Sequence, residues 1–318
     1  MFLGIPKGLF YYDYYSFIKK LFDGTGVKII DNVENTDMVL SLGCDAVVDE
    51  ACMPIKLVAG QIRVLLEKCD AVFIPKLMKD INGMWYCPKQ MGVEELVNYD
   101  LAKDKIIFTD PIYMNNKKAA YKSFSKVGKI LGIDNFTFKN NFVTAYNELK
   151  LISHGISKMH VESDWEFTPK LPMMGEIVLP NASKVFLAGH CYNVFDSFAN
   201  NNIIKKLDDL CIGVITEKVV SYPEKRHAVD ELKLMKTPFW ESVIRVLGSA
   251  ICLKEDVDGI IYVSSFSCGP DSLIIELIKK YVYDVPLMVI KLDEHKGTAG
   301  FETRLEAFSD LLERKRIS

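Results

Sequence analysis

Three of the eight cysteines in this 318-residue chain stand where metal ligands or redox thiols would be placed. Cys52 lies in Glu50-Ala51-Cys52-Met53-Pro54, Cys87 in Trp85-Tyr86-Cys87-Pro88-Lys89, and Cys268 in Ser267-Cys268-Gly269-Pro270-Asp271. Each is within two residues of a proline, at a turn, and two of the turns lead straight into an amphipathic helical pattern. A sulfur at a helix start faces unpaired N–H groups and the positive end of the dipole, which favour an anion. A thiol so placed is expected to have a lowered pKa and to serve metal binding or redox chemistry.

The three are far apart in the chain, and none of the eight cysteines forms a C-x-x-C pair, which argues against a zinc finger, a zinc ribbon or a compact ferredoxin. Two readings remain: a cluster held by dispersed ligands, or plain burial, since free cysteine is among the most buried residue types. Burial is the expected role of Cys69, Cys211 and Cys252, which sit among apolar residues, while Cys44 and Cys191 fall between the cases. In the segment around Cys268, Gly269 frees the backbone and Pro270 starts a helix well. His190, beside Cys191, is placed either to ligate a metal or donate to a substrate oxygen, or to cap the structure. Asp293-Glu294-His295 offers a general acid or base, or a solvated charged loop. Lys56, Lys76 and Lys89 recur near the first two cysteines, where they would stabilise an anionic cluster or substrate or simply face solvent.

These residues need a scaffold, and the pattern supplies an α/β one. Short β-branched runs alternate with helical periods, as in parallel sheets. Strands are expected at 2–5, 27–30, 38–41, 71–74 and 106–109, with helices at 12–22, 54–68 and 94–101. A lysine-rich helical stretch follows, and a second alternation gives strands at 185–188, 213–215, 259–263 and 287–290 with helices at 198–210, 239–253, 271–281 and 300–313. The expected organisation is an N-terminal α/β lobe over 1–115, a helical connection over 116–182 and a C-terminal α/β lobe over 183–318, the lobes Rossmann-like with parallel sheets. The polar segments fall at the carboxyl ends of strands, where open α/β sheets bind ligands. Two such rims facing each other would make an interdomain cleft.

The net charge of −3 leaves no basic excess to neutralise phosphates, against a general nucleic-acid or membrane-surface binder. The first residues lack a basic n-region and a cleavage site, and no apolar stretch is long enough to cross a bilayer. A cytoplasmic protein with reduced thiols is the expectation. The phosphate loop G-x-x-x-x-G-K-[ST], the dinucleotide fingerprint G-x-G-x-x-G, the G-x-S-x-G elbow and H-E-x-x-H are absent from the sequence.

A family likeness rests on ordered motifs along nearly the whole chain: Ile5-Pro6-Lys7-Gly8-Leu9 with Tyr11 and Tyr12, Glu50 to Lys56, Ile74-Pro75-Lys76, Cys87-Pro88-Lys89, Gly189-His190-Cys191-Tyr192-Asn193 with Asp196, Ser267 to Asp271, and Asp293-Glu294-His295 followed by Thr303 to Phe308. The chain resembles the uncharacterised acyl-CoA dehydratase activase-related proteins. That group is similar in turn to the cluster-bearing component of 2-hydroxyacyl-CoA dehydratases, benzoyl-CoA reductases and double-cubane cluster proteins. The resemblance implies an oxygen-sensitive iron–sulfur centre, a [4Fe-4S] cluster or a double-cubane variant, held by Cys52, Cys87 and Cys268, with a fourth iron site open. It implies a partner ATPase that delivers low-potential electrons. In the dehydratase relatives, the implied step is reduction of a CoA-thioester carbonyl to a ketyl radical. His190, Asp271 and His295 are then the candidates for hydrogen bonding or proton transfer near the cluster. The chain departs from the family pattern at Lys296, at Thr298 and at Cys191, which stands where proline is common. A homodimer, or pairing with a related subunit, is compatible with this reading. The alternative is a non-catalytic electron carrier or cluster scaffold with a fully ligated cluster, Cys191 or Cys44 serving as fourth ligand.

Overall fold

A computed structural model describes residues 1–97, 103–155, 176–177, 182–236, 238–294 and 300–317. The chain divides into two compact units. The first holds Met1–Ser153 and a returning segment, Phe239–Glu241; the second holds His154–Pro238 and Ser242–Ser318. The class is α/β with parallel sheets in both units, as the alternation of the sequence indicates.

In the first unit the chain runs β1 (Phe2–Gly4), α1 (Tyr11–Leu21), β2 (Lys28–Ile30), α2 (Asp37–Cys44), α3 (Met53–Lys68), β3 (Ala71–Ile74), β4 (Leu77–Lys79), α4 (Pro88–Met91), α5 (Val93–Leu96), β5 (Ile106–Phe108), β6 (Ile112–Tyr113), α6 (Lys117–Ile130) and α7 (Asn135–Ser153). The four-stranded sheet has the order β2-β1-β3-β5, and every neighbour pair is parallel. A small parallel pair, β4 with β6, stands beside it.

The segment 38–41, expected as a strand, lies in helix α2. The hydroxyl of Thr36 accepts the Val39 N–H at 3.2 Å, and Asp37 occupies the first turn. That cap outweighs the strand-like Val39-Leu40 pair. Helix α2 then crosses α3 backbone to backbone. A Cβ on Gly43 would lie 1.7 Å from the Lys56 carbonyl oxygen, and one on Gly60 would lie 1.8 Å from that of Val39. Only glycine fits at either point, and the crossing fixes the helix that follows Cys52.

The expected connection, 116–182, divides in the structure. Its two long helices, α6 and α7, pack onto the first unit through a layer of aromatic rings. Phe17 of α1 meets Phe124 of α6 at 5.2 Å and Phe142 of α7 at 5.9 Å between centroids. Phe22 meets Phe73 of β3 at 5.9 Å. Edge-on and tilted contacts of this kind add to the burial that drives them. Residues 156–175 and 178–181 lie outside the described set.

In the second unit the chain runs β7 (Glu176–Ile177), β8 (Lys184–Gly189), α8 (Cys191–Val194), α9 (Ile203–Asp209), β9 (Gly213–Ile215), α10 (Tyr222–Asp230), a π-helical turn Val243–Leu247 continuing into α11 (Gly248–Leu253), β10 (Gly259–Ser265), α12 (Gly269–Tyr281), β11 (Leu287–Leu292) and α13 (Phe301–Ile317). The sheet order is β11-β10-β8-β9-β7, parallel except for β7 against β9. Its core is sealed from solvent around Tyr262, Phe186, Val263 and Ile261, all fully buried. The chain from β8 goes to β9 on one side and returns to β10 on the other. The crevice between the carboxyl ends of β8 and β10 is therefore a topological switch point, the usual ligand position of such sheets.

Candidate functional site

The three expected cysteines share one local structure. Cys52 is the N-cap of α3, Cys87 of α4 and Cys268 of α12, each in extended backbone with proline at the first or second helical position. Proline at those positions has no N–H to lose and is pre-set for the helix. Cys52 is buried, and Cys87 and Cys268 are partly exposed. Within the first unit, Lys89 Nζ donates to the Glu50 carbonyl at 2.8 Å, which ties the turn of Cys87 to the turn of Cys52. Lys76 is held by Glu94 at 3.1 Å and by Glu95, while Lys56 is buried.

In the second unit, His190 follows β8 as the N-cap of α8, and Cys268 follows β10, so the switch point brings them together. His190 Nε2 is 3.7 Å from Cys268 Sγ and 3.2 Å from Asp271 Oδ1. The Tyr262 hydroxyl donates to the same Asp271 oxygen at 2.7 Å. Oδ2 makes no hydrogen bond of ordinary geometry, although Ser264 is close enough to favour the ionised carboxylate. The ring of Tyr192 stacks on His190 with centroids 4.8 Å apart and planes 9° apart. A ligand nitrogen, a sulfur and a carboxylate oxygen of His190, Cys268 and Asp271 all lie within 4.8 Å of one another, near enough to hold one metal ion.

The backbone explains this convergence. Gly189 has φ of +145°, and a Cβ there would meet the Val263 carbonyl oxygen at 2.4 Å. Glycine lets β8 turn out against β10. Ser267, not Gly269, carries the left-handed backbone of the turn, with φ of +65°, and a Cβ on Gly269 would meet nothing. The Cys268 N–H closes that turn onto the Ser265 carbonyl at 3.2 Å.

Burial disfavours the His190 cation, but the charge and hydrogen bond of Asp271, followed by Cys268, hold it well above the ordinary imidazole range. Burial likewise opposes ionised Asp271, yet His190 and Tyr262 hold it below the ordinary carboxylate value. The two form a buried ion pair. The Cys268 thiol is pushed up by burial, beyond what His190 returns, so the lowered pKa expected of it is not the state of the metal-free thiol. The reason is desolvation, which outweighs the helix terminus in a site this enclosed.

Next along the same rim lies a second cluster. Glu217, just past β9, is buried and held by Arg245 at 2.5 Å, by Lys225, and by Lys218 at 3.5 Å. Burial works against its charge, but Arg245 and then Lys225 hold it well below the ordinary carboxylate range. Cys191 Sγ lies 2.5 Å from Arg245 Nη2 and 3.5 Å from Glu217 Oε1, so this thiol is engaged within its own unit. Arg245 sits in the π-helical turn, a distortion frequent at functional sites.

Of the remaining cysteines, Cys69 is buried beneath Gly4, and Cys44 and Cys252 are partly exposed. Cys211 differs from expectation: it is exposed, in left-handed backbone after α9. His295 lies outside the described residues. Sequence reasoning missed Glu217, Lys225, Arg245 and Tyr262 and gave Tyr192 no role of its own; the one local signal was Glu217 at a strand's carboxyl end.

Residues 3–220 match the family model described as "CoA enzyme activase uncharacterised domain (DUF2229)". The match covers more than half of the chain, which therefore belongs to that family. The activase-related likeness is shown at this level; an activase is the ATPase activator of such systems and not their cluster-bearing component. No curated protein matches. The solved structure titled "crystal structure of SsGBP and GDP complex" is similar at 10% identity over 98% of both chains, with a TM-score of 0.25. Among the described residues, no helix is long and apolar enough to cross a membrane.

Proposed function

We propose that this member of the CoA enzyme activase domain family is an iron–sulfur protein of the 2-hydroxyacyl-CoA dehydratase-like type. It would receive low-potential electrons from an ATP-dependent activator and reduce a substrate that resists reduction. The observation that carries the reading is the threefold recurrence of one motif: Cys52, Cys87 and Cys268 each cap a helix that begins with proline. A donor set of three thiols fits an iron–sulfur cluster, which takes thiolates as ligands, and helix N-terminal N–H groups favour the anion it forms.

Cys52, Cys87 and Cys268 would hold the cluster. Such a group supplies low-potential one-electron transfer when bound. To serve as a ligand, Cys268 would give up the proton that burial favours, since ligation requires the thiolate. Cys191 is left out of the ligand set because Arg245 and Glu217 already engage its sulfur. His190 and Asp271 form the polar wall beside Cys268.

The test is purification without oxygen followed by iron and sulfide analysis and an absorption spectrum. The full-length protein is expected to be coloured and to carry iron and sulfide in near-equal amounts. Serine at Cys52, Cys87 or Cys268 should abolish the chromophore, while Cys252→Ser should leave it intact. A colourless protein without iron, or a requirement for Cys252 in place of Cys268, overturns the proposal.

A further inference from the structure

We infer that His190 is a positioning residue that donates a hydrogen bond from Nε2 to the sulfur of Cys268 and so sets the electronic character of whatever metal centre that sulfur ligates. The inference rests on the cluster reading given above and adds a role for a residue outside the ligand set.

The proton on Nε2 follows from its neighbours. Asp271 Oδ1 is 3.2 Å away and already accepts from the Tyr262 hydroxyl, so the facing nitrogen must be a donor. The same N–H reaches the Cys268 sulfur at 3.7 Å, ordinary for a contact to sulfur. A metal-bound thiolate accepts more strongly than a thiol, which shifts the shared hydrogen toward sulfur when metal is held. The ring cannot turn away. Tyr192 stacks on its face, Asp271 is fully buried and anchored by Tyr262, and the His190 carbonyl is fixed by the N–H groups of Asn193 and Val194 at 2.8 and 3.0 Å. Groups outside the ligands, such as this ring, carboxylate and phenol, are how proteins orient and tune metal centres. Hydrogen bonds to cluster sulfurs withdraw electron density and raise the reduction potential.

The experiment compares the full-length wild type with His190→Ala and His190→Gln, all purified without oxygen. Iron content and the midpoint potential are measured, the latter by redox titration followed by electron paramagnetic resonance. The expected result is equal iron in all three, a more negative potential and altered g values in His190→Ala, and a return toward wild type in His190→Gln, whose amide restores an N–H. Unchanged potential with iron retained overturns the inference while leaving the cluster reading intact. Loss of all iron from both folded variants also overturns it, because His190 would then be a ligand. A wild type without iron overturns the underlying reading and this one with it. Should His190→Ala not fold, Tyr192→Leu keeps the imidazole but frees its face. It is expected to lower the potential by a smaller amount, and no shift there overturns the inference.

Discussion

Lys89, in helix α4, donates to the main-chain carbonyl of Glu50 across 2.8 Å, joining that helix to the turn before α3, each with a cysteine two residues away. One ammonium thus sets the spacing of the Cys52 and Cys87 turns without touching either sulfur through that bond. A single exposed hydrogen bond of this kind contributes about 1 kcal/mol. Lys89→Met is expected to leave the fold and the initial iron content in place and to speed iron loss to a chelator several-fold. Stopped-flow absorbance under anaerobic conditions measures this, and an unchanged rate removes the role assigned to Lys89.

Asp80 makes the stability of the first unit depend on pH. It is buried, with Glu241 as its facing carboxylate, and its pKa is raised from 3.8 to about 7, chiefly by desolvation and then by Glu241. Between about pH 4 and about pH 7 the unfolded chain loses this proton while the folded one retains it. Stability therefore falls as pH rises through that window, on the order of 4 kcal/mol in all. Asp80→Asn keeps the acceptor for the Asn82 and Met84 N–H groups at 2.9 and 2.7 Å. Its stability advantage over wild type is expected to be about 2 to 3 kcal/mol larger at pH 8 than at pH 5. Urea denaturation at the two pH values decides it; a pH-independent difference would show that Asp80 is ionised throughout.

The Glu217 cluster combines charges from three separate elements, with Lys225 on α10 and Arg245 on the π-helical turn. Removing one partner from a buried ion group costs about 3 to 5 kcal/mol, since the others stay buried without compensation. Glu217→Gln is expected to cost that much. Adding Arg245→Met should recover part of the loss, because it removes the stranded cation. Strictly additive losses in the double mutant would mean that the pair is not coupled.

The legible and illegible parts of the molecule differ for physical reasons. Runs such as 71–74 and 259–263 announce buried parallel strands through unbroken apolar, β-branched character, and the structure has strands there. The N-cap position of Cys52 and Cys268 was legible because proline at a helix start is a local signal, whereas Cys87 caps a helix of only four residues, too short to show a helical period. The 38–41 segment was not, because its fate turns on one hydroxyl, that of Thr36, two residues upstream. The partners of Asp271 were hidden for another reason. Tyr262 and His190 reach it through parallel pairing of β8 with β10 and a crossover back onto the sheet. No local pattern in the chain encodes such a meeting. Glu217, Lys225 and Arg245 meet in the same way. Gly189 and Gly60 look like ordinary glycines in sequence, and only the approach of a neighbouring carbonyl reveals why they are needed.

Gly60 offers the sharpest test of how the first thiol is positioned. Helix α3 lies against α2 with no side chain between their backbones at this point. A methyl group added to Gly60 would sit 1.8 Å from the Val39 carbonyl oxygen and 3.1 Å from the Gly43 nitrogen. Both obstacles are main chain, so no rotamer change relieves them, and the two helices must separate. Overpacking that only moves side chains costs about 1 to 3 kcal/mol, so Gly60→Ala is expected to cost about 3 kcal/mol or more. Separation would also move the start of α3, and with it Cys52, whose carbonyl accepts from Ile55 and Lys56 in the first turn. The variant should therefore lose iron disproportionately to its loss of fold. Gly24→Ala, at an open turn with no atom within 4 Å and φ of +65°, is the matching control: strained in backbone but remote from the helix pair, it should lose stability without losing iron. Equal iron loss in the two variants, at matched unfolding midpoints, would show that the α2–α3 contact does not position Cys52.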